Sequence, residues 1–463
     1  MNNKSSILSN PSFRKLFGAQ LIALAGTGLT TIALALLAFE LAGDRAGIVL
    51  GTALAIKMIA YIFVAPAVGG LILPQQRKSV LIALDVARAA CVLGLPFVNA
   101  EWQIYVLIFV LNSCSAGFTP VFQSIIPQLF DDEEDYTKAL SFARLAYDLE
   151  NLLSPTIAAA LLLYVSFDVF FVFNAVAFIV SAALVAIAII PAAKIDDTVQ
   201  LSARERIAHG FQIYRKTPRL VGMLAMFLAV AAAGAMVIVN TVVLVRAQFG
   251  GDETMVAVAM GAFGAGSLIA ALMIPRLVAR LGDQAIMRRG GWLLGITLLL
   301  GAYVGQFEIL LAVWFAMGIG YSLVQTPAGR VLRRSARDVD LPKLFAAQFT
   351  LSHACWLLCY PLAGYLANAF GFQTAFLSFG ILALIAMFAS QQIWTTDDPE
   401  EIEHQHEALY HDHVHFHGDH HQHEHEGWEG PEPHKHPHKH DAVTHSHKFV
   451  IDGHHTEWPV KIN

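Results

Sequence analysis

Eighteen of the twenty histidines fall between His404 and His455; the other two are His209 and His353. Their spacing is mostly His-x-His. His404 and His406 come first, followed by His411, His413, His415 and His417, then His420, His421, His423 and His425. His434, His436, His438 and His440 form a fourth run, with His445, His447, His454 and His455 beyond it. Alternate residues of an extended chain point the same way, so each run can set imidazoles side by side around one cation. An ordinary imidazole titrates near pH ~6.5, so at neutral pH most of these rings are uncharged and able to coordinate. Asp412, Asp419, Glu424 and Glu426 are interleaved and add oxygen ligands. Imidazole suits Zn, Cu, Ni and Co alike, and the segment contains no cysteine, which argues against Cu(I). Solubility is a poor explanation, because Asp, Glu and Lys provide it without imidazole. No six histidines are consecutive, so a purification tag is not the explanation either.

This segment follows a body of opposite character. Residues 394–463 hold 15 Asp+Glu and 4 Lys, a net of −11; residues 1–393 hold 21 acids and 26 bases, a net of +5, giving the total of −6. The whole chain is 56% hydrophobic and 14% charged, against about 25% charged in soluble domains. Ordinary soluble enzymes, nucleic-acid binders and disordered chains are thereby excluded. A bilayer core takes about 20 apolar residues per helix. Twelve such spans are expected, near 16–41, 48–73, 80–99, 102–122, 139–163, 168–190, 219–243, 254–275, 286–304, 308–328, 344–366 and 372–393. The first run is too long for a cleavable leader and reads as a span. Cys91, Cys114, Cys355 and Cys359 all lie in apolar stretches and read as free thiols. The tail, lacking an apolar core and broken at Pro431 and Pro437, is expected to be disordered without metal.

Orientation follows from Lys and Arg in the loops. With the N-terminus inside, the inner segments carry 21 basic residues and the outer loops two, Arg45 and Arg246. Both termini are therefore expected in the cytoplasm. The chain also repeats. Asn10-Pro11 and Thr217-Pro218 are 207 residues apart, as are Thr119-Pro120 and Thr326-Pro327; Ser154-Pro155 and Tyr360-Pro361 are 206 apart. The expected architecture is an all-α membrane protein of twelve transmembrane helices in two six-helix repeats. Residues 1–193 form the first half, 194–217 a polar linker, 218–393 the second half and 394–463 the His-rich tail. Parallel repeats of this kind place a transported solute near the midplane, between the halves.

Over residues 10–393 this pattern resembles the major facilitator superfamily. Gly70-Leu-Ile-Leu-Pro74-Gln-Gln-Arg77-Lys78 stands where that family has its Gly-x-x-x-Asp-Arg loop, with Pro74 and Gln75 in place of the Asp and Arg. Asp85 and Arg88, three residues apart on one helix face, are the candidates for the gating ion pair. Leu351-Ser-His353-Ala-Cys355-Trp-Leu-Leu-Cys359-Tyr-Pro361 together with the His-rich tail resembles the bacterial nickel-resistance exporters of that superfamily. The resemblance implies a multi-pass protein of the bacterial cytoplasmic (inner) membrane that expels Ni²⁺, and Co²⁺, and confers metal resistance. The metal would be substrate and tail ligand, with no tightly bound cofactor. Partners would be divalent ions, protons and lipid, with no nucleic acid, and a monomer is expected.

Ionisable groups inside a span are functional candidates, since each costs about 2.5–3.5 kcal/mol on insertion scales. Asp148, Glu150 and Asn151 sit in the fifth span. The repeat offset carries them to 354, 356 and 357, beside His353 and Cys355 in the eleventh. Carboxylate, imidazole and thiol could then meet at one cation. The plainer alternatives are a structural Arg144 partner for Asp148, a hydroxyl-satisfied buried His353 and apolar packing of Cys355 and Cys359. Lys57 and Glu40 read as a structural pair or as snorkelling groups. No Gly-Lys pair, Asp-Lys-Thr-Gly or His-Glu-x-x-His occurs, so ATP-driven pumping and zincin chemistry lack their residues. The protein is expected to be a proton antiporter, not an enzyme. An exporter of an organic solute or metal chelate with a metal-sensing tail is the alternative. A membrane-anchored metal store is a third.

Overall fold

A computed structural model describes residues 7–64, 74–125, 129–130, 139, 157–158, 160–190, 203–337, 340–395, 398, 401–406, 409–415, 434–440, 443–451 and 458. Span 1 is Pro11–Ala42. Asn10 is extended and its Oδ1 accepts from the amides of Ser12 and Phe13 at 3.0 and 3.1 Å. Proline at the first helical position costs no hydrogen bond there. Thr217, also extended, precedes Pro218 at the start of span 7, and its hydroxyl donates to the Ile213 carbonyl at 2.8 Å. The repeated proline therefore marks the same physical event, the opening of each half.

Span 2 is Ala46–Ile59, prolonged by a π turn at Ala60–Val64. Span 3 is Arg77–Gly94, span 4 Glu101–Ile125 and span 6 Asp168–Ile187. The expected fifth span lies mostly outside the described residues. The second half holds span 7 (Pro218–Val243, then a π turn Leu244–Gln248), span 8 (Glu253–Leu281), span 9 (Asp283–Gly301) and span 10 (Phe307–Gln325). Spans 11 and 12 form one helical run, Leu341–Ile393, interrupted only at Gly371, whose φ is +83°. Fifty-three residues would reach about 80 Å as one helix, far beyond a bilayer core, so the break at Gly371 is where the chain reverses. Eight stretches among the described residues are long and apolar enough to cross a membrane, and two of them, Pro11–Val64 and Lys343–Ile393, are long enough for two crossings. Span 8 extends past the expected limit at 275 because Pro275 lies inside the helix without ending it.

The two halves touch closely where span 2 crosses span 11. A Cβ on Gly51 would come 2.5 Å from the Tyr360 carbonyl oxygen, and one on Gly364 would strike the Gly47 carbonyl. Small residues let helix backbones approach to this degree in lipid. Gly364→Val is expected to push the helices apart and to cost about 1–3 kcal/mol, the usual range for overpacking. A thermal unfolding series in detergent checks it.

The polar linker contains a helix, Ala203–Lys216. The tail differs from the disorder expected of it. β1 (Glu401–His406) pairs antiparallel with β4 (Val443–Lys448), and β2 (Leu409–His415) with β3 (His434–His440). Glu401 opposite Lys448 and His415 opposite His434 both sum to 849, so one register runs through both ladders. His-x-His is a period-two pattern, which matches a strand, and backbone pairing needs no apolar core. Pro437, which has no N–H to donate, is tolerated because a two-stranded ribbon consists only of edges.

Candidate functional site

Span 11 carries aromatic residues at 349, 353, 356 and 360. Steps of four, three and four keep them on one helix face. The rings of Phe349 and His353 lie with centres 3.8 Å apart and planes tilted by 31°, and Trp356 and Tyr360 follow at 4.9 Å. Tyr61, in the π turn of span 2, meets this stripe from the other half, 5.5 Å from the His353 ring and 5.8 Å from Phe349. The Lys57 ammonium lies 5.9 Å from the Tyr61 ring centre. Trp356 packs on Gly234 of span 7, where a Cβ would overlap the indole. Lys57 is eleven residues into span 2, about 16 Å, and His353 is twelve residues from Leu341, about 18 Å. Both depths are close to the middle of a ~30 Å core.

His353 Nδ1 lies 2.6 Å from the Phe349 carbonyl oxygen. A carbonyl only accepts, so Nδ1 carries a proton, and in the neutral ring the lone pair is then on Nε2. That is the tautomer needed to bind a cation or take up a proton. Beside this contact, Lys57 lines a chamber of about 30 Å³ with Thr27, Thr31, Asn112, Ser115 and Asn174. Leu34, Leu54, Ile108 and Leu111 also line it, and the chamber is large enough for a water molecule. Asn174 donates to Thr30 Oγ1 at 2.6 Å, and Asn112 donates to its own helix at Ile108.

The other expected residues fall in different places. Cys355 is two residues from His353, about 200° around the helix, so these two groups do not face one cation. Cys359 is fully buried. Asp85 and Arg88 are paired as expected, but their surroundings belong to the first half. Ser181 of span 6 donates to Asp85 at 2.7 Å, and the Arg88 guanidinium lies 4.4 Å from both Phe118 of span 4 and Phe178 of span 6. Asp148, Glu150 and Asn151 lie outside the described residues. Among residues whose side chains are described, no three of His, Cys, Asp and Glu converge as a metal site.

In the tail, backbone register sets His404 opposite His445, His411 opposite His438, His413 opposite His436 and His415 opposite His434. His406, His440 and His447 stand opposite Val443, Leu409 and Ile402. His417, His420, His421, His423, His425, His454 and His455 lie outside the described residues. Both outer strands are held at the base of the ribbon. Asp398 pairs with Arg219 at 3.0 Å and with Arg334 at 2.9 Å. Beyond β4, Phe449 and Ile451 are buried, and Trp458 lies against Phe449 and 4.8 Å from the Arg219 guanidinium.

The linker helix is fastened to the start of span 11. Asp340 binds Lys343 at 2.8 Å, Arg337 at 3.2 Å and His209 of the linker at 3.2 Å. Tyr214 donates to Gln348 at 2.5 Å, and burial, with Cys355 second, holds its phenol well above the ordinary range, so it stays a neutral donor. Burial alone would raise the Asp340 carboxyl, but Lys343 and Arg337 outweigh it and hold the group below its ordinary value. A lowered folded value contributes stability above the unfolded pKa, and that contribution fades as pH falls through the folded one. The linker helix is therefore expected to stay docked at neutral and mildly acid pH and to loosen only in stronger acid, while Asp340→Asn loosens it at neutral pH. Hydrogen exchange across 203–216 reads both effects.

Phe349, Trp356, Tyr360 and Tyr61 are the residues that sequence reasoning missed as parts of the site. The helical period at 349, 353, 356 and 360 was the available signal for the stripe. Nothing local marked Tyr61, which is defined only by the partner helix.

The model of the Major Facilitator Superfamily matches residues 16–244 and 223–410. An uncharacterized MFS-type transporter, YfiS, of Bacillus subtilis (strain 168) is 24% identical over 336 residues, covering 70% of this chain and 79% of that one. Macrolide efflux protein A of Streptococcus pyogenes is 22% identical over 394 residues, covering 80% and 93%. Among solved structures, the nucleoside transporter NupG superposes with a TM-score of 0.61 at 14% identity, over 83% of this chain and 99% of that one. A bacterial homolog of the human lysosomal transporter Spinster, inward-facing and unoccupied, gives 0.60 at 12% identity, over 84% and 98%.

Proposed function

The chain belongs to the Major Facilitator Superfamily, and from that premise we propose that it is a secondary efflux transporter exporting a divalent transition metal, Ni²⁺ first and Co²⁺ second, by proton antiport across the bacterial inner membrane. The observation that carries the metal is the tail register. Four pairs of histidines stand directly opposite one another on a ribbon that follows span 12. Opposed residues of an antiparallel pair share a face with Cβ atoms about 4.5–5.5 Å apart, a spacing that two imidazoles bridging one ion can use. The choice of nickel among the imidazole metals comes from the resemblance of the Leu351–Pro361 segment with the tail. His353, near the midplane where the halves meet, is the described group suited to exchange a proton for a cation, and Asp148 and Glu150 are the carboxylates proposed to join it. Proton and metal compete for the same lone pairs, which is the coupling that antiport requires.

A second reading has its own support. The Phe349–Tyr360 stripe with Tyr61 suits an organic solute with apolar surface better than a bare cation, and macrolide efflux protein A is among the relatives. In that reading the ribbon senses metal while the body exports an organic compound.

Inside-out membrane vesicles separate the two. Under an imposed pH gradient the full chain is expected to move Ni²⁺, and a chain cut after Thr396 to move it more slowly. Failure to move nickel, cobalt or zinc at any gradient overturns the metal reading. Movement of erythromycin by the same vesicles then selects the second.

A further inference from the structure

At the end of the second half where span 8 ends and span 9 begins, spans 8, 9 and 12 and the segment after span 10 enclose an open groove of about 1100 Å³. Four arginines line it, Arg288, Arg289, Arg330 and Arg334, against two carboxylates, Asp283 and Asp398. Both carboxylates are already engaged, Asp283 with Arg330 at 3.1 Å and Asp398 with Arg334 at 2.9 Å. The groove therefore keeps a surplus of two positive charges, on Arg288 and Arg289. Arg288 donates to the Trp394 carbonyl, which leaves its charge uncompensated, and Arg289 is exposed.

The lining changes character along span 9. Trp292 lies one turn beyond Arg288, and Ile296 one turn further, about 12 Å from Arg288 along the axis. Ile296 is 49% exposed. A basic mouth, an indole at the rim and an exposed aliphatic wall below follow the order of a bilayer: headgroup, interface, acyl chain. A soluble anion would use the mouth and ignore the wall.

We propose that this groove binds one anionic phospholipid. Its headgroup phosphate is held by Arg288 and Arg289, and an acyl chain lies along Trp292 and Ile296. Basic pockets between helices at the headgroup level recognise such lipids. The inference does not depend on what the transporter carries.

Purified full-length protein is titrated with phosphatidylglycerol and, separately, with phosphatidylcholine, binding being followed by native mass spectrometry. Phosphatidylglycerol is expected to be retained and phosphatidylcholine not. At about 1 kcal/mol per basic residue near the surface, Arg288→Gln with Arg289→Gln is expected to weaken retention roughly thirtyfold. Arg276→Gln with Arg280→Gln, removing the same charge outside the groove, is expected to leave it unchanged. Phosphatidylglycerol with brominated chains is expected to quench a fluorescence component that disappears in Trp292→Phe; this arm keeps every arginine and so survives any misfolding of the double variant. Equal retention of the two lipids, equal losses from the two double variants, or displacement by inorganic phosphate would each overturn the proposal. So would quenching that Trp292→Phe does not alter.

Discussion

Arg88→Met is expected to cost about 3–5 kcal/mol of stability, the range for removing one partner of a buried ion pair. Asp85 is fully buried and Arg88 only 5% exposed, so the variant strands a carboxylate inside the first half. Ser181 can still donate to it, but one neutral hydrogen bond does not replace a guanidinium. Asp85→Asn in the Arg88→Met background is expected to recover most of the loss, because the remaining amide needs no counter-charge. Thermal and denaturant unfolding of the four proteins measures the coupling. The comparison also tests the gating role. A pair that only knits spans 3, 4 and 6 together loses stability and transport in proportion. A pair that gates loses transport in the double variant although stability has returned.

His353→Phe is expected to leave the fold intact and to reduce transport at least about tenfold, the lower end of what disturbing a metal site costs. Phenylalanine preserves the ring contacts with Phe349 and Tyr61, so the change removes little beyond the two ring nitrogens. His353→Gln keeps an amide able to accept a hydrogen bond and is expected to recover part of the rate without its pH dependence. Rates against pH, together with unfolding temperatures, distinguish loss of proton exchange from loss of packing.

The helices were legible in the sequence because lipid leaves a chain few ways to satisfy its backbone. Runs of apolar residues, loop charges and three pairs of prolines 206–207 residues apart were sufficient to expect two repeats. Asn10 and Thr217 explain why the offset was readable: helix starts have their own chemistry. The ends of helices were less legible. Span 8 was expected to end at 275, yet the helix runs on to Leu281 with Pro275 inside it. The site was only partly legible. His353 was recognisable as an ionisable group at mid-depth, but Tyr61 belongs to the site through a crossing of helices 2 and 11 set by glycines at 47, 51 and 364. Such a crossing is a tertiary fact. The pairing of His353 with Cys355 was unsound already at the level of helix geometry, since residues two apart do not face one another. In the tail the histidine alternation was read as a ligand pattern. It is equally a strand pattern, and the ladder uses that second meaning.

Gly371 is the whole connection between the last two membrane helices. A link of one residue has no slack, so span 12 must follow when span 11 tilts. Span 12 ends at the Trp394–Asp398 clasp that holds the base of the ribbon. The aromatic stripe at one end of this lever and the histidine ribbon at the other are thus mechanically in series. A tilt of span 11 is therefore expected to reach the ribbon's root, and a stiffer ribbon is expected to resist that tilt.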